Sequence, residues 1–207
     1  MDLELLDNAR WLVGAVARGL HGKKHAGAGV VLDRLLDQRI PSAPLQQPKP
    51  QRLPVLSHLA SAVAETLLID GDLAAAIAAV EDRLHWRQSE AYSDAVMGPG
   101  FMANYGWCQI VGPHGFFAGD DFLLGLLMLG PGQHYRDHAH PAPELYWPLT
   151  AGSLWKRGAS PFAEAEAGSL IWHGPHEVHA TRTAASPMLA VWCWTKDTAT
   201  PARLIAA

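Results

Sequence analysis

The chain has 207 residues, 49% of them apolar and 17% charged, enough for one globular domain of ordinary size with a sizeable core. Its net charge of −4 gives no basic footprint and excludes a nucleic-acid-binding reading. No run approaches the ~18 consecutive apolar residues of a membrane span, and the opening MDLELLDNARWLVGAVARG has acids ahead of any basic residue, so it does not read as a secretory signal; a cytoplasmic protein with no membrane partner is expected.

The first half of the chain reads as helical. Leu3, Leu5, Leu6, Trp11, Leu12, Val16 and Leu20 recur at helical spacing over 3–20, and a second helix is expected over 28–38, with Val30, Val31, Leu32, Leu35 and Leu36 as its apolar face. Residues 41–54 hold five prolines in fourteen positions, an extended connector rather than a helix. Two more helices are expected, over 56–68 with Ser57 as N-cap and over 72–85 with Asp72 as N-cap.

After the breaker MGPG at 97–100 the texture changes. Short apolar or alternating runs alternate with Gly, Pro and Asp as far as 188–195, the rhythm of an all-β barrel or jelly roll. The expected division is a helical part over 1–97 and a β-barrel over 98–207. Cys108 and Cys193 lie in apolar runs and read as free buried thiols.

Chemistry concentrates between Gly132 and Gly152, in GQHYRDHAHPAPELYWPLTAG. His138 and His140 are two apart and face the same way on a strand. Glu144 can join them after the turn that Pro141 and Pro143 impose. Two imidazoles and a carboxylate suit a divalent transition metal such as Zn, Fe, Mn, Co or Ni. The segment 168–180 offers a further ligand from His173, His176 or His179. Tyr146, two residues after Glu144, shares its strand face; a phenol near a divalent metal has its pKa lowered and becomes an available base. Eight tryptophans are unusual, and six lie in the second half, where their faces can hold a cationic ligand.

The two segments resemble the cupin superfamily. Gly132, His138, His140 and Glu144 fall on its first motif, with the closing Gly152 one residue late. Gly168 and His179 fall on the second, with Gly174 and His176 standing where proline and glycine are expected. That resemblance selects His179 as the last metal ligand. The run YRDHAHPAPELYWPLTAG, with His179 and the Trp-Cys-Trp strand at 192–194, is similar more narrowly to the cupin-type dimethylsulfoniopropionate lyases. What the resemblance implies is a mainly β cupin double-stranded β-helix behind an N-terminal helical part. It implies a metal held by His140, Glu144 and His179, with His138 in the same pocket. It further implies Tyr146 as the base, with Tyr135 the rival for that role. The substrate is then a small sulfonium carboxylate whose cation lies against at least one of Trp147, Trp155, Trp172, Trp192 and Trp194, with Trp194 preferred. The same ligand set would also suit an iron-dependent cupin dioxygenase, although oxygen chemistry does not need paired tyrosines at the metal. A non-catalytic small-acid sensor is disfavoured by the lack of a helix-turn-helix and of a basic patch. A homodimer is compatible with the helical part.

Overall fold

The computed structural model describes residues 2–205. Helices α1 (Leu3–His21), α2 (Ala26–Asp37), α3 (Leu59–Thr66), α4 (Gly71–Ala78) and the short α5 (Asp94–Met97) precede ten strands. These are β1 (Tyr105–Val111), β2 (Leu123–Leu129), β3 (His134–Ala139), β4 (Glu144–Pro148), β5 (Ser153–Arg157), β6 (Ala163–Ala165), β7 (Ile171–His173), β8 (His179–Thr183), β9 (Met188–Trp194) and β10 (Arg203–Leu204). They form two five-stranded sheets, β1-β2-β9-β4-β7 and β10-β3-β8-β5-β6, antiparallel at every pairing. This is a mainly β cupin barrel with a helical N-terminal part.

The first sheet is buried on both faces, and strand parity separates them. In β9, Leu189, Val191 and Cys193 join the core beneath the helices, while Met188, Ala190, Trp192 and Trp194 face the barrel interior. In β4, Leu145 and Trp147 face the helices and Tyr146 faces inward. Apolar runs such as LLGLLML in β2 are the sequence consequence. The outer face of the second sheet is wetter; it carries the Lys156–Asp137 and Arg157–Glu177 ion pairs.

Helices α1 and α2 pack on each other, α1 on α4, and α2 on β4. Small residues allow the approach. A Cβ on Gly19 of α1 would lie 2.2 Å from the Trp147 ring, and one on Gly27 of α2 2.5 Å from the Trp172 ring. Trp147 and Trp172 therefore sit beneath the helices and outside the barrel.

Local details differ from the sequence expectation where caps compete. Asp70, not Asp72, caps α4, accepting from the Leu73 amide at 3.0 Å. The Asp72 carboxylate is engaged instead by Trp11 Nε1 and the Arg18 guanidinium. Pro54 opens a 3-10 turn over Pro54–His58, so Ser57 lies inside a turn and caps nothing. Helix α2 begins at Ala26, where the His25 ring accepts from the Gly27 amide at 3.1 Å. Val30 and Leu36, assigned to its buried face, are 42% and 76% exposed, because a straight helix turns them away from the sheet.

Gly19→Val should destabilise the fold by ~1–3 kcal/mol through overpacking on the Trp147 ring, outweighing the few tenths gained by leaving glycine in a helix. Urea unfolding measures this, and an unchanged midpoint would contradict the packing of α1 on Trp147.

Candidate metal centre

His138 lies near the end of β3, His140 one residue beyond it, and His179 at the start of β8, directly opposite His138 in the ladder. All three are buried, and each offers a nitrogen within 4.8 Å of the others. Tyr135, three residues before His138, would face the opposite way in a regular strand. A register shift between Tyr135 and His138 adds the residue that turns both inward, and the Tyr135 ring stacks on His138 at 4.1 Å.

The orientation of each imidazole is fixed from behind. His138 Nδ1 lies 2.8 Å from the Arg136 carbonyl, His140 Nδ1 2.8 Å from the Ala142 carbonyl, and His179 Nδ1 2.8 Å from the Glu177 carbonyl. A carbonyl only accepts, so each Nδ1 carries a proton and each ring turns its Nε2 inward, the atom free to take a metal. The loop carrying His179 is shaped for this. His176, where the motif expects glycine, adopts φ +61°, and its amide donates to the His140 carbonyl.

Glu144 opens β4 and is buried. Its Oε2 lies 3.0 Å from His140 Nε2 and 3.2 Å from His179 Nε2, the latter without hydrogen-bond alignment. Trp194 Nε1 donates to Oε1 at 2.9 Å. Burial alone would raise the Glu144 carboxyl; the two histidines override it and hold the group well below the usual carboxylate range. An ionised carboxylate and the ring nitrogens of three histidines thus converge on one buried point. That donor set suits a divalent cation, so the residues present fit a bound metal ion.

Further aromatic groups pack around this cluster. Tyr146, with Glu144 on one face of β4, contacts Trp155 at 4.8 Å between ring centres. Burial and the Glu144 charge push its phenol well above its ordinary value. Burial and the neighbouring phenols do the same for Tyr135, whose hydroxyl lies 3.2 Å from that of Tyr92. His173 stacks on His179 at 4.0 Å, is fully buried, and has no partner for either ring nitrogen among the described residues. Burial first, and His179 second, lower its pKa to about 3. His134 points outward against Phe162.

A cavity of about 610 Å³ opens over the centre and is lined by Glu144, Tyr135, Tyr146, Trp192 and Trp194 among others. Of the five candidate tryptophans, only Trp192 and Trp194 line it. Trp155 lies behind Tyr146, and Trp147 and Trp172 face the helices. Sequence reasoning did not single out several cavity residues, Arg87, Tyr92, Tyr105 and Gln109 among them. Tyr105 and Gln109 alternate inward with Trp107 on β1, a pattern legible in YGWCQIV; Arg87 and Tyr92 sit in an irregular segment and left no signal.

The sequence profile of the dimethylsulfoniopropionate (DMSP) lyases matches residues 28–190. The chain belongs to the dimethylsulfoniopropionate lyase family. DMSP lyase DddQ of Ruegeria pomeroyi is 28% identical over 187 residues, covering 87% of this chain and 86% of that protein. The crystal structure of DddQ from Ruegeria pomeroyi DSS-3 superposes with a TM-score of 0.74 at 25% identity, covering 99% of this chain and 97% of that one. A structure from work on the DMSP lyases RdDddP and RnDddQII, 20% identical with a TM-score of 0.71 over 96% of this chain and 100% of that one, shows the same fold.

If the cluster holds a metal, His140→Ala or His179→Ala should strip it, since each removes a buried candidate ligand and leaves too few for tight binding; elemental analysis reads it, and unchanged content in both would disprove the assignment. A second outcome concerns acid. Unfolded His173 takes a proton below about 6.5, whereas the folded ring resists one down to about 3. The unfolded state binds more protons in that window, so the metal-free protein should lose stability as pH falls through it. His173→Phe keeps the stack and should flatten the dependence; identical slopes in denaturation series at stepped pH would refute this.

Proposed function

We propose that this chain cleaves DMSP to dimethyl sulfide and acrylate by metal-dependent β-elimination. The observation that carries the reading is Tyr146 and Glu144 on one strand face, both lining the cavity, with the histidine cluster beside them. A divalent ion, when bound, supplies positive charge that acidifies the Cα–H of the substrate and lowers the pKa of a neighbouring phenol.

The residues do the rest. Metal-free, the Tyr146 phenol is pushed well up by burial and by Glu144 and stays protonated, so its basicity depends on loading. As phenolate it removes the Cα proton. The C–H electron pair becomes the Cα–Cβ double bond, and the Cβ–S pair leaves with sulfur as neutral dimethyl sulfide. Tyr135, held by the His138 stack and the Tyr92 hydroxyl, is the rival base. Trp194 is committed to Glu144 through Nε1 and lies 4.3 Å from the His140 ring. Trp192, edge-on to Trp107 at 6.1 Å, is therefore the preferred face for the sulfonium.

Elimination needs no redox change, so Zn, Fe, Mn, Co and Ni all remain suitable. A cytoplasmic location is supported by two free, buried cysteines, as reducing compartments favour. A homodimer is part of the reading, with the exposed Leu67 and Leu68 as an apolar contact.

Headspace detection of dimethyl sulfide from metal-loaded protein tests the activity, and release without oxygen separates it from a dioxygenase. Tyr146→Phe should fold and hold metal while turnover falls by ~10²-fold or more, the scale of a lost general base. Tyr135→Phe should be milder. Near-normal turnover in Tyr146→Phe with collapse in Tyr135→Phe would hand the role to Tyr135.

A further inference from the structure

The cavity is larger than its proposed substrate. Volumes of roughly 300–1,000 Å³ take drug-sized ligands, and this one is about 610 Å³. DMSP is only six atoms end to end. Tyr146 pairs with Trp192, Trp192 with Gly125, and Gly125 with Gln109. The row therefore runs inward-facing across three strand spacings, ~14 Å, from the proposed base to Gln109. Only glycine fits at 125 in this row: a Cβ there would meet the Cys108 carbonyl at 1.9 Å and the Trp192 indole at 2.7 Å.

The outer end of this row has its own chemistry. Gln109 is 5% exposed, and its Oε1 accepts from the His114 amide at 2.8 Å. That bond fixes the orientation of the amide and leaves the Nε2 donors with no protein acceptor among the described residues. Beside it, Arg87 is locked to β1 by paired backbone bonds with Trp107 of 2.7 and 2.9 Å. Cross-strand partners share a face, so Arg87 is aimed at the cavity with Trp107, its guanidinium 5.7 Å from the indole centre. It makes no ion pair among the described residues; Glu90, on the same segment, is exposed and unpaired with it. The facing wall of Ala199, Pro201 and Ala202 brings no charge. His114 has its pKa lowered by burial and by Arg87, so it is neutral at pH 7. An unpaired guanidinium on the wall of a sulfonium site repels the cation, and with the Cα of DMSP at Tyr146 the one carboxylate of DMSP lies at the other end of the row, so DMSP brings no anion to this end.

We propose that Arg87 and Gln109 form an anion subsite at the outer end of the cavity, and that the preferred substrate is a propionate sulfonium whose leaving thioether carries a second carboxylate. This rests on the lyase reading and deepens it. The reaction is unchanged: the base takes the Cα proton, the C–H pair becomes the double bond of acrylate, and the Cβ–S pair leaves on a neutral sulfur. The leaving group is then a thioether carboxylate rather than dimethyl sulfide.

The test compares acrylate release by the metal-loaded enzyme from two propionate methylsulfoniums, one with a 3-carboxypropyl arm and one with its neutral 3-carbamoylpropyl isostere. The carboxylate should be favoured by ~10-fold or more in kcat/KM, and Arg87→Met should bring the ratio close to one. Gln109→Met should lower it by a smaller factor. Equal rates for the two arms, or a preference that survives Arg87→Met, would overturn the proposal. Calorimetry with 4-(methylthio)butanoate reads the subsite without turnover, and its affinity should fall ~10-fold in Arg87→Met. Acrylate from both arms without discrimination removes the subsite and leaves the lyase. No acrylate from either arm, with Arg87-dependent binding retained, removes the lyase and leaves the subsite.

Discussion

The centre of this protein is a single buried carboxylate held ionised by the two histidines beside it. Glu144 lies against the Nε2 atoms of His140 and His179, and those rings are oriented because each Nδ1 already donates to a carbonyl. Trp194 donates to Oε1. A buried charge is costly unless opposite charge and donors meet it, and the same convergence of carboxylate and ring nitrogens could hold a metal ion. The surrounding architecture serves that point. The β3 bulge, the left-handed turn at His176 and the cross-strand position of Trp194 opposite Glu144 each orient one ligand or its support.

The helical part completes the same task from the other side. The inward face of the first sheet sets ionisable and aromatic groups among buried apolar ones such as Leu127, Leu129 and Met188. On the outward face Leu145, Trp147, Val191 and Cys193 merge with α1 and α2 into one continuous core. Close approach depends on Gly19 and Gly27 above the two indoles. The same sheet thereby carries the candidate metal centre on one face and the helix-packed core on the other, divided by strand parity.

Electrostatically the cavity is graded. At its floor, burial pushes the phenols up and the histidines push Glu144 down. In its middle, Trp192 offers a neutral face suited to a cation. At its mouth, Arg87 and the amide donors of Gln109 suit an anion. A ligand with alternating charge along its length matches that order, and strand register sets the spacing.

The sequence by itself pointed to a barrel or jelly roll, because short runs punctuated by Gly, Pro and Asp after residue 98 suit paired strands, and its two spaced histidine motifs carried the cupin resemblance. It also determined the ligand candidates, because His138, His140 and Glu144 lie on a single local segment whose geometry follows from strand parity and two prolines. The parity that placed Tyr146 beside Glu144 also turns Trp147 away, so that part of the tryptophan set was legible and went unused. Other features required the tertiary structure. Tyr135 and His138 share a face only through a bulge that no residue type announces. Asp70 and Asp72 are equally good caps in isolation, and the pull of Arg18 and Trp11 on Asp72 decides between them. Trp194 and Trp192 look alike in Trp-Cys-Trp, yet only Trp194 lies across from Glu144, and so only it is tied to the carboxylate. Arg87, Tyr92 and Gln109 come from segments far from the metal motif in sequence. They meet at one cavity because antiparallel pairing between distant strands sets neighbours that local pattern does not encode.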